Sequence, residues 1–266
     1  MNIRIIIPCY NSQSFIQDTF VKIKSVLSMV DNHKIHVVFI DDGSIDNTLD
    51  LLTKLCNGVE SYYVFSKKNG GEGSARNFGL DLDIEKYDYV FFSDSDDVLL
   101  KGFNKAVTKL NELKSDMLVC SYIQTDFKSS KLLKSYHQST TNYNNAEAIK
   151  QFLYRNFVPG IGNTFFKKSN IRFSSHKLGA DSLYAFENLC VSKSIGGISS
   201  RVYNYKIRKG SAMDSQSFDN IKVALTIKKY ISNNLTSLKT ASNFFLFNEV
   251  FGYYSRTNKI IKSKKY

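Results

Sequence analysis

The chain has little of what breaks or staples a fold. Its 266 residues include two prolines and no tryptophan, too few prolines for a proline-rich linker. Four cysteines, Cys9, Cys56, Cys120 and Cys190, lie far apart with no Cys-x-x-Cys pair. That spacing argues against a disulfide frame or a zinc site and for reduced thiols in a cytosolic protein. Cys9 and Cys120 fall in apolar stretches, where inert core thiols are expected. No run of about 18 apolar residues occurs, so no membrane-spanning helix is expected. The start, Met1-Asn2-Ile3-Arg4, leads straight into strand-like sequence, so no signal peptide is expected either. A Lys-Ser/Thr ending is missing after the glycines at 70–73, and the first βα turn lacks Gly-x-Gly-x-x-Gly. The P-loop and dinucleotide-fold readings fail on those two absences. What is present is an ordinary hydrophobic fraction, 42%, enough for a sizeable core and too much for a disordered or collagenous chain.

Charge is in excess but unevenly placed. The net charge is +12, yet residues 1–100 hold nine Lys/Arg against fifteen Asp/Glu, and residues 101–266 hold 27 against nine. A uniformly basic protein would point to nucleic acid. An acidic front joined to a basic back points instead to a division of labour. Residues 201–266 carry thirteen Lys/Arg against three Asp/Glu, with an apolar band at Phe244, Phe245, Leu246, Phe247, Val250, Phe251 and Tyr254. Two readings stay open for that segment: a helix packed on the rest of the chain with a solvated Lys face, or a helix lying on an anionic membrane surface.

Periodicity places the elements. Strands are expected at 3–7, 35–40, 62–65, 89–92 and 117–122, each a short apolar run. Helical spacing fills the gaps: Phe15 to Val30 after caps at Asn11 or Ser12, Leu49 to Cys56 after Ser44 or Asp46, a short helix after the glycines, and 101–114. Alternation of this kind predicts an α/β fold with a mainly parallel sheet flanked by helices on both faces. Residues 123–145 are polar without a clean period. Helices are expected at 146–157 and 178–192, a strand at 201–206, and Lys- and Asn-rich helices from 221 onward. No internal repeat is visible.

In such a sheet, ligands bind beyond the carboxyl ends of the strands, and unusual polar residues collect at four of those ends. They are Pro8-Cys9-Tyr10-Asn11, Asp41-Asp42-Gly43-Ser44, Asn69-Gly70-Gly71 through Arg76-Asn77, and Asp94-Ser95-Asp96-Asp97. Alone, Asp-Asp-Gly-Ser reads as a turn with a helix cap; four such loops at one end of the sheet read as a site. Three carboxylates within four residues repel one another and call for a compensating charge. Either a divalent Mg²⁺ or Mn²⁺ carrying phosphate oxygens or a helix N-terminus would supply it. Tyr10 offers a face for a base, Asp42 an acceptor for a base N–H or a ribose hydroxyl, and Arg76 a partner for phosphate or acid.

These loops together resemble the ordered motifs of family 2 glycosyltransferases with the GT-A fold. Gly179-Ala180-Asp181 is similar to that family's Gly-Glu-Asp segment, and Tyr203-Asn204-Tyr205 through Arg208 and Ser211 to its Tyr-x-Tyr-x-x-Arg-x-x-Ser segment. The resemblance implies an inverting transfer from a UDP-sugar to a saccharide hydroxyl, with a lipid-linked acceptor of surface-polysaccharide synthesis expected. It places Pro8, Tyr10, Asn11, Asp42, Asn69, Gly71, Arg76, Asp94, Ser95, Arg208 and Ser211 around the donor. Asp94 and Asp96 would meet Mn²⁺ or Mg²⁺, and Asp181 would act as catalytic base. Ala180 departs from the family's Glu, which puts the acceptor pocket in question; without the resemblance, Asp181 reads as a helix cap. On this view residues 1–122 form a nucleotide-sugar half and 123–212 an acceptor half of one GT-A domain, with 213–266 a basic helical extension. A cytoplasmic location is expected, at the inner face of the plasma membrane if the basic segment meets lipid. His33, His36, His137 and His176 show no ligand spacing, though His176 is near enough to Asp181 for an acceptor or metal contact. A nucleotidyltransferase would want Arg and Lys in the first loop, where there are none. A nucleic-acid-binding protein would want basic residues interleaved with aromatics on one surface, which the acidic front half does not offer.

Overall fold

The computed structural model describes residues 1–30, 34–176, 178–208 and 218–263. The front of the chain follows β1 (Asn2–Cys9), α1 (Ile16–Leu27), β2 (Lys34–Asp41), α2 (Thr48–Cys56), β3 (Tyr62–Ser66), α3 (Glu72–Asp81) and β4 (Tyr89–Phe92). Then come β5 (Val98–Leu99), α4 (Gly102–Leu113), β6 (Met117–Asp126), β7 (Leu132–Tyr136), β8 (Thr141–Tyr143) and α5 (Asn145–Leu153). The back closes with β9 (Thr164–Lys167), α6 (Ala180–Val191), β10 (Ile195–Ile207), α7 (Asp219–Asn234) and α8 (Lys239–Ser263).

Among the described residues ten strands form one sheet, ordered β3-β2-β1-β4-β9-β6-β10-β5, with β7 added on β6 and β8 on β10. β3, β2, β1 and β4 are parallel, and β6 is parallel to β10. β9 runs antiparallel to both its neighbours, β4 and β6. The order reverses direction between β1 and β4, so the carboxyl ends of those strands open a crevice there.

β1 reads as a continuous apolar run because both of its faces are covered. Ile3, Ile5 and Ile7 join Phe20, Ile23, Phe39, Phe103 and Val107 in one core. Ile6 joins Val38, Phe92, Tyr184 and Leu189 in the other. Arg4 interrupts the run without harm. Its buried guanidinium donates to the carbonyl oxygens of Gly79 (3.1 Å), Leu82 (3.0 Å) and Glu85 (2.6 Å) and lies 4.2 Å over the Tyr87 ring. It thereby serves the orphaned carbonyls at the C-terminus of α3.

Several local expectations are corrected. Neither Asn11 nor Ser12 caps α1 with its side chain; the helix opens at Phe15, and only the Ser12 backbone carbonyl accepts from it. β6 runs on to Asp126, and the polar stretch after it holds β7 and β8, whose edge positions leave no buried face to impose a period. β10 begins at Ile195 rather than 201. Its first residues, Ile-Gly-Gly-Ile-Ser-Ser, look like loop, but a Cβ on Gly197 would stand 2.6 Å from the Ser139 carbonyl oxygen. Glycine there admits a close backbone approach. The four-residue β9 was not anticipated at all.

His36 on β2 stands beside Arg4 on β1 in the ladder. It is buried, and neither ring nitrogen has a hydrogen-bond partner among the described residues. Burial holds its pKa below the usual value, with Arg4 and Lys34 adding to the effect and Glu85 opposing it. The unfolded chain therefore binds a proton that the native state refuses, and native stability falls as the pH drops below about 6.5. His36→Phe removes this term. Urea unfolding from pH 7.5 to 5.5 should show the parent losing on the order of 1 kcal/mol per pH unit relative to the variant. Parallel pH profiles would refute it.

Candidate active site

The crevice is lined first by the turns after β1 and β2. Tyr10 leaves its ring half exposed, at 51%. Asn11 takes a left-handed backbone, φ +49°; its Oδ1 accepts from the Ile45 N–H at 3.0 Å and its N–H donates to Ser44 Oγ at 3.0 Å. The turns after β1 and β2 are thereby joined. Asp41 is buried and accepts from Ser66 Oγ at 2.9 Å and the Ser44 N–H at 3.3 Å.

Asp42 is more heavily used than the sequence suggests. Its carboxylate accepts from Lys67 Nζ (2.8 Å) and from the backbone N–H groups of Gly70 (3.1 Å) and Gly71 (2.7 Å). Asn69 Nδ2 donates to the Asp42 carbonyl at 2.9 Å. A base N–H would share an acceptor that already orders the glycine loop. Two glycines are required here. Gly43 has φ +70°, and a Cβ on it would meet the Asn69 nitrogen at 2.8 Å; Gly71 has φ +85° at the start of α3.

The centre of the site is Arg76 on α3. Its side chain is 2% exposed, and its guanidinium meets three carboxylates from three parts of the chain. Nη2 donates to Glu72 Oε1 (2.7 Å) and Asp94 Oδ1 (2.8 Å), and Nη1 to Asp181 Oδ1 (2.9 Å). The Glu72 and Asp181 carboxylates remain about half exposed, at 54% and 46%, so both stay open to a ligand. Arg76 pulls the Glu72 carboxyl down, but withdrawal from water and the charges of Asp94 and Asp181 push it up to about 8. Withdrawal from water, aided by Asp94 and resisted by Arg76, likewise raises Asp181 above the usual carboxylate range. A carboxylate whose pKa is raised is better matched to accept a proton near neutral pH.

The acids after β4 each find a separate partner. Ser95 Oγ lies 2.9 Å from Ser12 Oγ. Asp96 pairs with Arg208 Nε at 3.0 Å and stays 17% exposed; burial and Asp94 raise its pKa against Arg208. Asp97 is fully buried and accepts from Tyr203 Oη and the Lys206 N–H, both at 2.7 Å. Burial and Asp94 push it well above the usual range. Tyr203 Oη also accepts from the Asp94 N–H at 2.9 Å, and the ring packs where a Cβ on Gly162 would stand 2.4 Å away.

The structure thus gathers Asp94, Arg76 and Asp181, and ties Asp96 to Arg208. Tyr10, Asn11, Asp42, Asn69 and Gly71 lie in the neighbouring turns, Pro8 is buried within β1 opposite Ile40, and Ser211 lies outside the described residues. Asp181 is in the first turn of α6 and does not cap it; that position is Gly179, in a left-handed conformation. Ala180 is buried. His176 pairs with Ser174 Oγ at 2.9 Å through Nδ1; His137 is exposed, and His33 lies outside the described residues. Cys9 is buried, and burial pushes its thiol well up, with Asp41 adding to it, which suits an inert core thiol.

Three residues escaped the sequence reading: Glu72, Asp97 and Tyr203. Glu72 had a readable signal, since Glu and Arg four apart on a helix face pair. Tyr203 lay inside a motif without a role of its own.

For a metal, Asp94 and Asp96 offer two charged oxygen donors on either side of Ser95. Among the described residues no group of three or more His, Cys, Asp or Glu side chains could hold an ion. Two carboxylates fit a Mg²⁺- or Mn²⁺-type ion that completes its shell with phosphate and water, and they do not fit an all-protein cage.

Comparison with known proteins gives the family and the fold. The model described as glycosyl transferase family 2 matches residues 4–178. The Mycoplasma pneumoniae protein named uncharacterized glycosyltransferase MG060 homolog is 29% identical over 225 residues, covering 80% of this chain and 71% of its own length. The Bacillus subtilis minor teichoic acid biosynthesis protein GgaA is 26% identical over 221 residues, which is 77% of this chain and 47% of GgaA. Residues 1–349 of S. aureus TarS, crystallised with UDP-GlcNAc, align with a TM-score of 0.74 at 22% identity, over 95% of this chain and 73% of that one. The shared fold is the GT-A arrangement of a central sheet flanked by helices.

Arg76→Met would leave three neighbouring carboxylates without their cation. Urea unfolding at pH 7.5 should show a loss of about 3 kcal/mol, the low end for breaking a buried ion pair, because two of the acids keep contact with water. The deficit should narrow on acidification to pH 5, as protons replace the missing charge. A variant as stable as the parent at pH 7.5 would contradict the central role given to this guanidinium.

Proposed function

Because the chain belongs to glycosyl transferase family 2, we propose that it moves a sugar from a UDP-sugar to a hydroxyl of a saccharide acceptor, with inversion at the anomeric carbon. The observation that carries this reading is the buried guanidinium of Arg76. It holds Asp94, at the end of a donor-side strand, beside Asp181, on a helix from the other half of the chain.

Tyr10 stacks on the uracil, and Asn11 forms the wall beside it. Asp42 and Asn69 shape the glycine loop through Gly71, and Asp42 shares its acceptor capacity with the base N–H. Asp94 and Ser95 face the ribose side. Asp94 and Asp96 would hold Mg²⁺ or Mn²⁺, which would supply positive charge against that developing on the departing UDP. Arg208, beside Asp96, faces the diphosphate. Asp181 accepts the proton of the acceptor hydroxyl as that oxygen bonds to the anomeric carbon, and the bond to UDP breaks with its electron pair on the phosphate oxygen. One base and one stabilised leaving group suffice for a single displacement, so no second carboxylate acts as acid.

An anionic acceptor fits the charge: 27 Lys/Arg against nine Asp/Glu beyond residue 100. A lipid-linked saccharide of surface-polysaccharide synthesis has that character, and GgaA is named for minor teichoic acid biosynthesis.

The test is UDP release from a panel of UDP-sugars, with Mn²⁺, Mg²⁺ or EDTA. Asp181→Asn should lower turnover by roughly 10²–10⁴ while UDP still binds in calorimetry, and Asp96→Ala should abolish the metal-dependent part of the rate. Full turnover by Asp181→Asn would remove the base assignment. Unchanged turnover in EDTA would remove the metal, and failure with every UDP-sugar would remove the donor.

A further inference from the structure

Helix α8 is apolar on two sides. Its inner face buries Ala241 and Phe245, with the Phe245 ring 5.4 Å from Phe152 and the Arg155 guanidinium 5.3 Å over it. Its outer face carries Phe244, Phe247, Val250, Phe251 and Tyr254, exposed at 44%, 63%, 44%, 59% and 63%. Positions 244, 247, 251 and 254 repeat every three or four residues and so form one stripe, about 15 Å long at the helical rise. An exposed apolar stripe of this kind marks an interaction site.

Charge distinguishes the occupants. Glu249 is the one acid in α8, and it pairs with Arg155. Asp219, the one acid in α7, pairs with Lys222 at 3.2 Å. Against those two acids, residues 219–263 hold Lys222, Lys228, Lys229, Lys239, Arg256, Lys259 and Lys262. A second copy on the stripe would set one basic segment against another. An anionic lipid surface would receive both features, the aromatics at the headgroup boundary and the basic side chains at the phosphates. Among the described residues no helix is long and apolar enough to cross a membrane, which leaves a helix lying in the plane of the surface.

We propose that the outer face of α8, together with Lys222, Lys228 and Lys229 of α7 and Lys239 of α8, docks this protein on an anionic lipid surface. The proposal is independent of the donor and base assignments. The full chain is sedimented with vesicles of phosphatidylcholine alone, or with about 30 mol% phosphatidylglycerol, in roughly 0.1 M salt. The parent should pellet with the anionic vesicles and remain in solution with the neutral ones, and salt should release it. Phe247→Ser with Phe251→Ser, and separately Lys228→Gln with Lys229→Gln, should each lower the vesicle-bound fraction severalfold. Both pairs should leave UDP release without lipid and the melting temperature unchanged, because these side chains are remote from the site. No pelleting with anionic vesicles would overturn the proposal. So would a parent dimer in light scattering that the Phe pair dissolves, because the stripe would then belong to a second copy.

Discussion

One guanidinium in the core has to satisfy three carboxylates, and much of the front half is arranged so that it can. Arg76 reaches this position because α3 lies against β1, with Gly79 packed so closely that a Cβ there would meet Ile6 at 2.7 Å. The helix is held at its other end by Arg4, which collects the carbonyls beyond its last turn. Two buried arginines therefore fix α3, one structurally and one at the site. An unpaired charge in the interior is costly, so neither can be moved without its partners. Asp94 and Asp181 inherit their placement from that constraint.

The same logic explains how a strand end can carry Asp94, Asp96 and Asp97 together. Each is given a different counterpart, drawn from elsewhere in the chain. Asp94 takes Arg76, Asp96 takes Arg208, and Asp97 takes Tyr203 and the Lys206 N–H. The last three partners stand on or just beyond β10, the long strand that pairs with β6. The acidic front and basic back of the sequence are thus in contact at the site, and the uneven charge that the sequence shows is partly neutralised there.

What the sequence revealed and what it hid divide along physical lines. The parallel strands were legible because burial on both faces leaves an unbroken apolar run, as in Ile3 to Ile7. The strand-end loops were legible because glycines and clustered acids have no core role to hide behind. β7 and β8 were hidden because they sit at exposed positions where no face demands a period, and β9 because four residues are too few to show one. Ser12 was read as a helix cap by its type, but its hydroxyl is turned to Ser95. Arg76 was legible as a site residue, yet its bond to Asp181 joins positions 105 residues apart, and no local pattern records such a pairing. Asp42 was legible as an acceptor, but its commitment to Gly70 and Gly71 depends on how two loops meet.

Charge counting also bears on what the site must receive. Around Arg76 one positive charge faces the three carboxylates of Glu72, Asp94 and Asp181. A diphosphate entering here adds more negative charge to a region that already repels it. Arg208 is already paired with Asp96. On the proposed reading, Asp94 and Asp96 would hold a divalent cation whose charge offsets that of the diphosphate, and Arg208, paired with Asp96, would stand beside the phosphates. The Asp96–Arg208 pair keeps two proposed donor-side groups together while each neutralises the other, and carboxylates that disfavour a bare anion would favour one that comes with a cation.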